Sequence, residues 1–292
     1  MIRAIGNRAH AALARSGGTF EWLPGFESSY AVAAGEIIWI GHGIAAMHPR
    51  AVVLADAVRP AAGAPLLSGT LAPWRPAALA IVAGDGSGIK ATCAALGRDV
   101  LELGTPRGFG AMLAGGVPAF PLDCAVPRVR ALAEALAGAD ANAICAAARP
   151  LLGLGPGLTP SGDDLVGAVL FARQALATSP ASPGNRQRIA ARLAIDCESR
   201  THPIGAALFR DLASGASFAP LHRLVHALAV DDLRRALDAA RELVAIGHSS
   251  GWDMLTGFIL GVTGHFGRPP ASRQVPPRHH CTSDDKQTRM RG

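Results

Sequence analysis

Long apolar runs are missing from this 292-residue chain: its two best stretches, 165–172 and 254–263, are interrupted by Gly167 and by Gly257 and Gly261. Both stop well short of the roughly 18 uninterrupted apolar residues that a membrane span needs. A secretory leader is missing as well. Arg3, Arg8 and Arg15 precede the first acid, Glu21, but no continuous apolar stretch or small-residue cleavage site follows, so a cytoplasmic location is expected. The five cysteines (Cys93, Cys124, Cys145, Cys197, Cys281) include no C-x-x-C pair, which excludes a zinc knuckle and argues for reduced thiols over a disulfide framework. Lysine is nearly absent, with only Lys90 and Lys286. Of the net charge of +6, the segment 268–292 holds six basic residues against two acids, which leaves the body too weakly basic for nucleic acid.

An apolar fraction of 49% is enough to build real cores. Short apolar runs broken by Gly and Pro, at 30–34, 36–40, 51–54, 66–71, 78–82 and 100–103, predict strands. After Pro127 the period changes, and helices are expected at 128–137, 141–148, 186–198, 203–213, 220–229 and 232–246. The expected fold class is therefore α+β, a β-rich amino-terminal half packed with a mostly helical carboxyl-terminal half. Its domains are a β-rich unit 1–126, a helical unit 127–267 with two glycine-rich helix mouths, and a disordered basic tail 268–292 whose prolines and polar residues cannot offset their ordering entropy. The stretch 178–185 reads as an exposed loop.

The richest local signal is Gly153-Leu154-Gly155-Pro156-Gly157-Leu158-Thr159-Pro160-Ser161-Gly162-Asp163-Asp164. Its glycines permit backbone shapes closed to other residues, and its prolines remove alternatives. Ser161, three residues before Asp164, reads as the N-cap of a capping box opening a helix. A helix start offers unpaired amides and the positive end of a dipole, so Gly155, Gly157, Thr159, Ser161 and Gly162 suit a phosphate or carboxylate. Asp163 and Asp164 would repel a bare anion unless they meet a divalent cation or an amide donor. One of the two is expected to serve the first turn and the other to reach the ligand.

A second segment, Gly247-His248-Ser249-Ser250-Gly251-Trp252-Asp253, repeats the Ser-Gly-x-Asp order before another apolar run. Two such mouths point to one composite pocket. Ser249, Ser250 and Gly251 are then ligand-binding candidates, and Asp253 and His248 join Asp163 and Asp164 as catalytic ones, His248 as acid, base or orienting donor. The competing structural reading makes these glycines helix caps and lets Gly167 and Gly257 bring helices close together.

Other motifs carry less. Gly84–Thr92 has the wrong spacing for a Walker loop, which argues against a nucleotide cofactor, and is expected to be a tight turn between strands. No role is assigned to His42, to His48-Pro49-Arg50, or to His279-His280-Cys281. Thr201 or His202 should cap a helix beginning at Pro203, with Arg200 near a third wall of the pocket. No Ser/His/Asp nucleophile order or metal-ligand cluster emerges.

The Gly153–Asp164 string, followed by Leu165-Val166-Gly167 and later by Gly247–Asp253, resembles the AllH-type subunit family of oxamate carbamoyltransferase. The resemblance is strong over 151–264 and extends more weakly to 30–54; Ser249 stands where threonine is frequent, which keeps the hydroxyl. It implies a subunit of an enzyme of allantoin and purine breakdown that interconverts oxalurate plus phosphate with oxamate plus carbamoyl phosphate, alongside AllF-like and AllG-like subunits. All four compounds are small anions, as the helix mouths lead one to expect. The alternative is a non-catalytic scaffolding or small-carboxylate-binding subunit of another metabolic complex.

Overall fold

The structure, a computed structural model, describes residues 1–26, 29–44, 46–66, 69, 71–79, 87–176 and 183–266. It opens with β1 (Ile2–Ile5) and α1 (Asn7–Arg15), followed by β2 (Glu21–Trp22), β3 (Tyr30–Ala33), β4 (Glu36–Gly41) and β5 (Ala51–Leu54). These strands form one five-stranded sheet in the order β1-β5-β4-β3-β2, antiparallel throughout except for the parallel β4–β5 pair. Ala34 and Gly35, both at positive φ, turn β3 into β4 so that Ala33 pairs with Glu36, the tight hairpin that matches strand twist.

Alternation along the strands assigns the two faces of the sheet. Ile38 and Ile40 of β4 and Ala31 and Ala33 of β3 are buried in one cluster with Ala9, Ala12 and Leu13 of α1. Tyr30, Ile37 and Trp39 therefore take the opposite face, towards the helices. Between Gly41 and Ala51 the chain crosses that same face, tied to the helical half where the Ala219 amide donates to the Met47 carbonyl (2.8 Å).

The helices are α2 (Ser87–Arg98), the short α3 (Gly110–Leu113), α4 (Val126–Gly138), α5 (Ala141–Ala148), α6 (Ser161–Ala175), α7 (Pro183–Glu198), α8 (Pro203–Ala213), α9 (Ala219–Ala229), α10 (Leu233–Val244) and α11 (Ser250–Thr263). Nearly every residue of α6 and α11 is buried, as befits central helices that are apolar all round. They cross in close contact. A Cβ on Gly257 would lie 2.0 Å from the Leu165 carbonyl oxygen, and one on Gly261, a turn further along, 2.7 Å from the Ala172 Cβ. One core lies to the α2, α9 and α10 side of this pair, another to the α4, α5 and α7 side.

The α+β class and all six expected helices are as the sequence reading has them, and so are the strands at 30–34, 36–40 and 51–54. Three expectations need correction. Residues 100–103 form a 3₁₀ turn, Val100–Leu103, because Val100 and Leu103 bury against the helical core and not in a sheet. The described part of 84–92 is the start of α2, whose Ile89, Cys93 and Leu96 recur at helical spacing and are buried. The runs 66–71 and 78–82 lie partly outside the described residues, and their described members are in no strand. The strand Ile2–Ile5 and helix α1 are additions that the sequence reading did not contain. The tail 268–292, with His279-His280-Cys281, lies outside the described residues, as do 178–182 of the expected loop, whose last residues, 183–185, instead open α7.

Candidate functional site

The loop before α6 is built by close backbone approach. At Gly153 (φ +76°) a Cβ would meet the Arg200 carbonyl oxygen at 2.3 Å, so glycine alone lets this turn lie against the α7–α8 connection. The Gly153 amide donates to Asp163 Oδ1 (2.7 Å), and Thr201 and Cys197 flank the same carboxylate. Asp163 is thereby turned onto the loop that precedes it and away from α11.

The two mouths are built alike. The Gly162 amide donates to the Leu154 carbonyl (2.9 Å) and that of Gly251 to the Ile246 carbonyl (3.0 Å). A Cβ at Gly162 would lie 1.8 Å from the Leu151 oxygen, and one at Gly251 1.9 Å from the Leu243 oxygen. The equivalence extends the short sequence match into three dimensions, but it also engages the amides of Gly162 and Gly251 within their own turns. Those two amides, which the sequence reading assigned to a ligand, already have partners.

Ser161 is not the N-cap. Pro160 takes that position with an extended backbone (φ −53°, ψ 137°), and its carbonyl accepts from the Asp163 and Asp164 amides at 2.9 and 3.2 Å. Ser161, the first helical residue, instead puts its hydroxyl 3.4 Å from that of Ser249 across the two mouths. Thr159 and Ser250 make the matching pair at 2.9 Å. The capping box is replaced by contacts between mouths, because a hydroxyl within bonding reach of the other mouth need not bond back to its own helix.

Behind these hydroxyls lie Asp164 and Asp253, 5% and 0% exposed. Burial pushes Asp164 well above the ordinary carboxylate range, and the neighbouring Asp253 charge adds to the rise; the Ser250 and Thr159 hydroxyls act against it. Asp253 is pushed up to about 6, again by burial, against the pull of the Phe109 amide and the hydroxyls of Ser161 and Ser249. Burial raises Asp163 too. Asp253 Oδ1 accepts from the Phe109 amide at 2.7 Å, a contact that requires glycine at 108, where a Cβ would come within 2.3 Å of the carboxylate. One oxygen of each acid, Oδ2 of Asp163, Asp164 and Asp253, is buried with no hydrogen-bond partner. Such an oxygen calls for a proton or for a donor on a ligand.

Asp164, Thr159, Ser250 and Gly247 open on a cavity of about 180 Å³. Its second wall is α8, through Ile204, Ala207 and Leu208. This is the third wall expected near Pro203, with His202 as the cap: its Nδ1 accepts from the Ile204 amide (3.2 Å), whereas Arg200 is exposed. The remaining wall is the sheet, through Tyr30, Trp39, His48 and Arg50.

Arg50 is 3% exposed and tightly held. Its Nε donates to Asp211 Oδ2 (2.6 Å), its Nη2 to Asp211 Oδ1 (2.9 Å), and its Nη1 to Glu36 Oε2 (2.9 Å) and the Ile37 carbonyl (3.0 Å). Arg8 of α1 donates to the same Asp211 and to Ser214 Oγ. Burial opposes the Arg50 charge, but Asp211 and Glu36 more than offset it and raise its pKa. This network joins sheet, α1 and α8 behind the cavity. Sequence reasoning set His48 and Arg50 aside because an isolated histidine or arginine near a strand carries no signal; only the chain crossing of the sheet face brings them here.

Other candidates fall elsewhere. His248 is exposed, its carbonyl touched by Arg107 (3.3 Å), and its ring does not line the cavity. Gly157 is exposed, while Gly155 packs against Ser161, where a Cβ would sit 2.9 Å from the Ser161 nitrogen. Among the described residues no group of three or more His, Cys, Asp or Glu side chains is arranged to hold a metal ion, and no helix is long and apolar enough to cross a membrane.

Fold and site together define an α+β protein in which two facing helix starts and a sheet enclose a small, mostly apolar cavity into which a few polar groups are set. Residues 151–262, from the loop before α6 almost to the end of α11, match the family model AllH, described as oxamate carbamoyltransferase subunit AllH. The resemblance read from the sequence holds over that stretch. No solved structure matches the chain.

Proposed function

We propose that this chain is a subunit of a cytoplasmic carbamoyltransferase-like enzyme that binds a small anionic amide, such as oxamate, oxalurate or carbamoyl phosphate, in the cavity between α6, α8, α11 and the sheet. One observation carries the reading: Asp164 lines that cavity beside the Thr159 and Ser250 hydroxyls, and its Oδ2 is buried without a hydrogen-bond partner. A carbamoyl or amide N–H₂ supplies the donor this oxygen lacks, and the hydroxyls can donate to the adjoining carbonyl. The volume of about 180 Å³ lies below the range of drug-sized pockets, roughly 300–1,000 Å³, and so suits a ligand of few atoms. Hydroxyls set against a transferring group would favour the charge that develops on its oxygen, which is how such a site would assist transfer. Within the assembly, AllF-like and AllG-like chains of purine or allantoin breakdown are the proposed partners.

A scaffolding role is favoured by the glycines instead, since Gly162, Gly251, Gly257 and Gly261 all serve close packing. Titration calorimetry with oxamate, oxalurate and phosphate separates the two. Binding by the full chain that Asp164→Ala abolishes, with carbamoyl transfer lost in a complex that still assembles, supports the ligand site. No binding, together with unchanged turnover of the Asp164→Ala complex, leaves only the scaffold.

A further inference from the structure

The cavity has two chemically different sides. On the helix side the exceptional group is an acceptor, the unpartnered carboxyl oxygen of Asp164. The sheet side lies outside the stretch matched to the family and presents donors. Tyr30 keeps its phenolic proton, its pKa raised by burial and by Asp164 nearby. Arg50 has four of the five guanidinium N–H groups engaged by Asp211, Glu36 and the Ile37 carbonyl, and those two acids match its charge together with that of Arg8.

His48 differs from Arg50 in that its donor has no protein partner among the described residues and carries no charge. It is 2% exposed, lines the cavity, and has its ring held 4.6 Å from that of Phe218. The Arg50 amide donates to His48 Nδ1 at 3.2 Å, so that nitrogen is the acceptor of the ring. Burial, with Arg50, Arg8 and His222 nearby, lowers the pKa well below the usual histidine value and keeps the ring neutral. In a neutral imidazole whose Nδ1 accepts, the hydrogen must be on Nε2. The nearest carboxylate oxygen, Asp211 Oδ2, is 3.8 Å from Nε2, beyond hydrogen-bond reach.

We infer that His48 is a ligand-binding residue of this site, its Nε2–H donating to the carboxylate or phosphate end of the small acid whose amide is held by Asp164. The inference rests on the anionic-amide reading above and extends the site beyond the matched residues to the β4–β5 connection. Arg50 acts through His48 as a positioning residue: its own amide fixes the tautomer, and its clamp on Asp211 and Glu36 holds the connection in place. A neutral N–H wall recognises an anion without the desolvation cost of a second buried charge.

Calorimetry on the full chain tests this with oxamate and its neutral diamide analogue, oxamide. His48→Phe keeps the ring against Phe218 and removes the donor, and should weaken oxamate at least about tenfold while changing oxamide less than about threefold, the loss expected for one hydrogen bond to a charged group. His48→Gln, whose amide reaches the Nε2 position, should restore most of the oxamate affinity. On the unmodified protein, where no folding defect intervenes, the ¹⁵N spectrum should show a neutral Nε2–H ring at pH 7 and a shift of its proton when oxamate is added. An unmoved Nε2 proton, equal losses for oxamate and oxamide, or unchanged oxamate binding in His48→Phe overturns the role of His48 and leaves the Asp164 reading intact. If the unmodified chain binds none of oxamate, oxalurate and phosphate, both readings fall together.

Discussion

Replacing Gly257 by alanine sets a local preference against a tertiary demand, and the structure decides which prevails. In isolation the change favours a helix by about 1 kcal/mol. In α11, however, the new Cβ would stand 2.0 Å from the Leu165 oxygen and 2.8 Å from its carbonyl carbon, both in the backbone of α6, where no rotamer can move aside. A carbon needs about 3.3 Å from such an oxygen, so the two central helices must part by about 1 Å. A gap of that size forfeits a quarter to a half of the dispersion energy of the contacts along the pair. Overpacking of this kind costs about 3 kcal/mol at the upper end of its usual range, which leaves a net loss of about 2 kcal/mol. For a 292-residue chain, whose unfolding entropy is about 0.6 kcal/mol/K, that corresponds to a fall in Tm of about 3 °C. Urea denaturation of Gly257→Ala beside Gly184→Ala, an exposed helical position with nothing within 4 Å, isolates the effect. The control should be neutral or slightly stabilised. A Gly257→Ala protein as stable as its parent would refute the argument that glycine at this crossing sets the spacing of the two mouths.

Four more outcomes are expected. Asp211→Ala leaves the buried Arg50 with Glu36 as its one acidic partner and strips both bonds of its Asp211 clamp, and should cost about 3 kcal/mol by urea denaturation, whereas the paired change Arg50→Met with Asp211→Leu should recover much of that. Thr159→Val breaks the 2.9 Å contact with Ser250 at the cavity and should weaken oxamate binding several-fold by calorimetry, with Tm little changed. Because Asp253 holds its proton up to about 6 when folded and Asp163 and Asp164 are also raised, the native chain keeps protons that the unfolded chain releases. The stability Asp253 confers in this way is therefore full below about pH 4 and is lost as pH climbs through about 6, and the raised Asp163 and Asp164 act in the same direction; Asp253→Asn should flatten the slope between those values in melts across the range. His248→Ala, at an exposed ring off the cavity, should leave oxamate affinity within about twofold.

The mouths were legible because each is a local event. Gly153–Asp164 and Gly247–Asp253 are continuous strings, and a Ser-Gly-x-Asp order before an apolar run marks a helix start wherever it stands. The capping of Ser161 was misread for a related reason: a capping box is inferred from one segment, whereas the hydroxyl of Ser161 is placed by Ser249, a residue 88 positions away. Asp163 and Asp164 look interchangeable as neighbours in sequence, yet a helix turns successive side chains by about 100°, so one meets the Gly153 amide and the other the cavity. The 3₁₀ turn Val100–Leu103 was missed where a short apolar run has no period long enough to distinguish strand from helix, and the start of α2 because the glycines of Gly84–Thr92 read as a turn before the helical spacing of Ile89, Cys93 and Leu96 begins.

The sequence by itself determined the α+β division, the run of helices after Pro127, and the two glycine-bounded helix starts, because propensity, periodicity and turn chemistry act over a few residues at a time. Only the tertiary structure decided that the mouths face one another, that Asp164 and Asp253 are buried side by side, and that His48 and Arg50 close the cavity from the sheet. Those relations depend on how a parallel strand pair and two glycine-lined helices pack across more than a hundred residues of chain, and no local pattern encodes a distance of that kind.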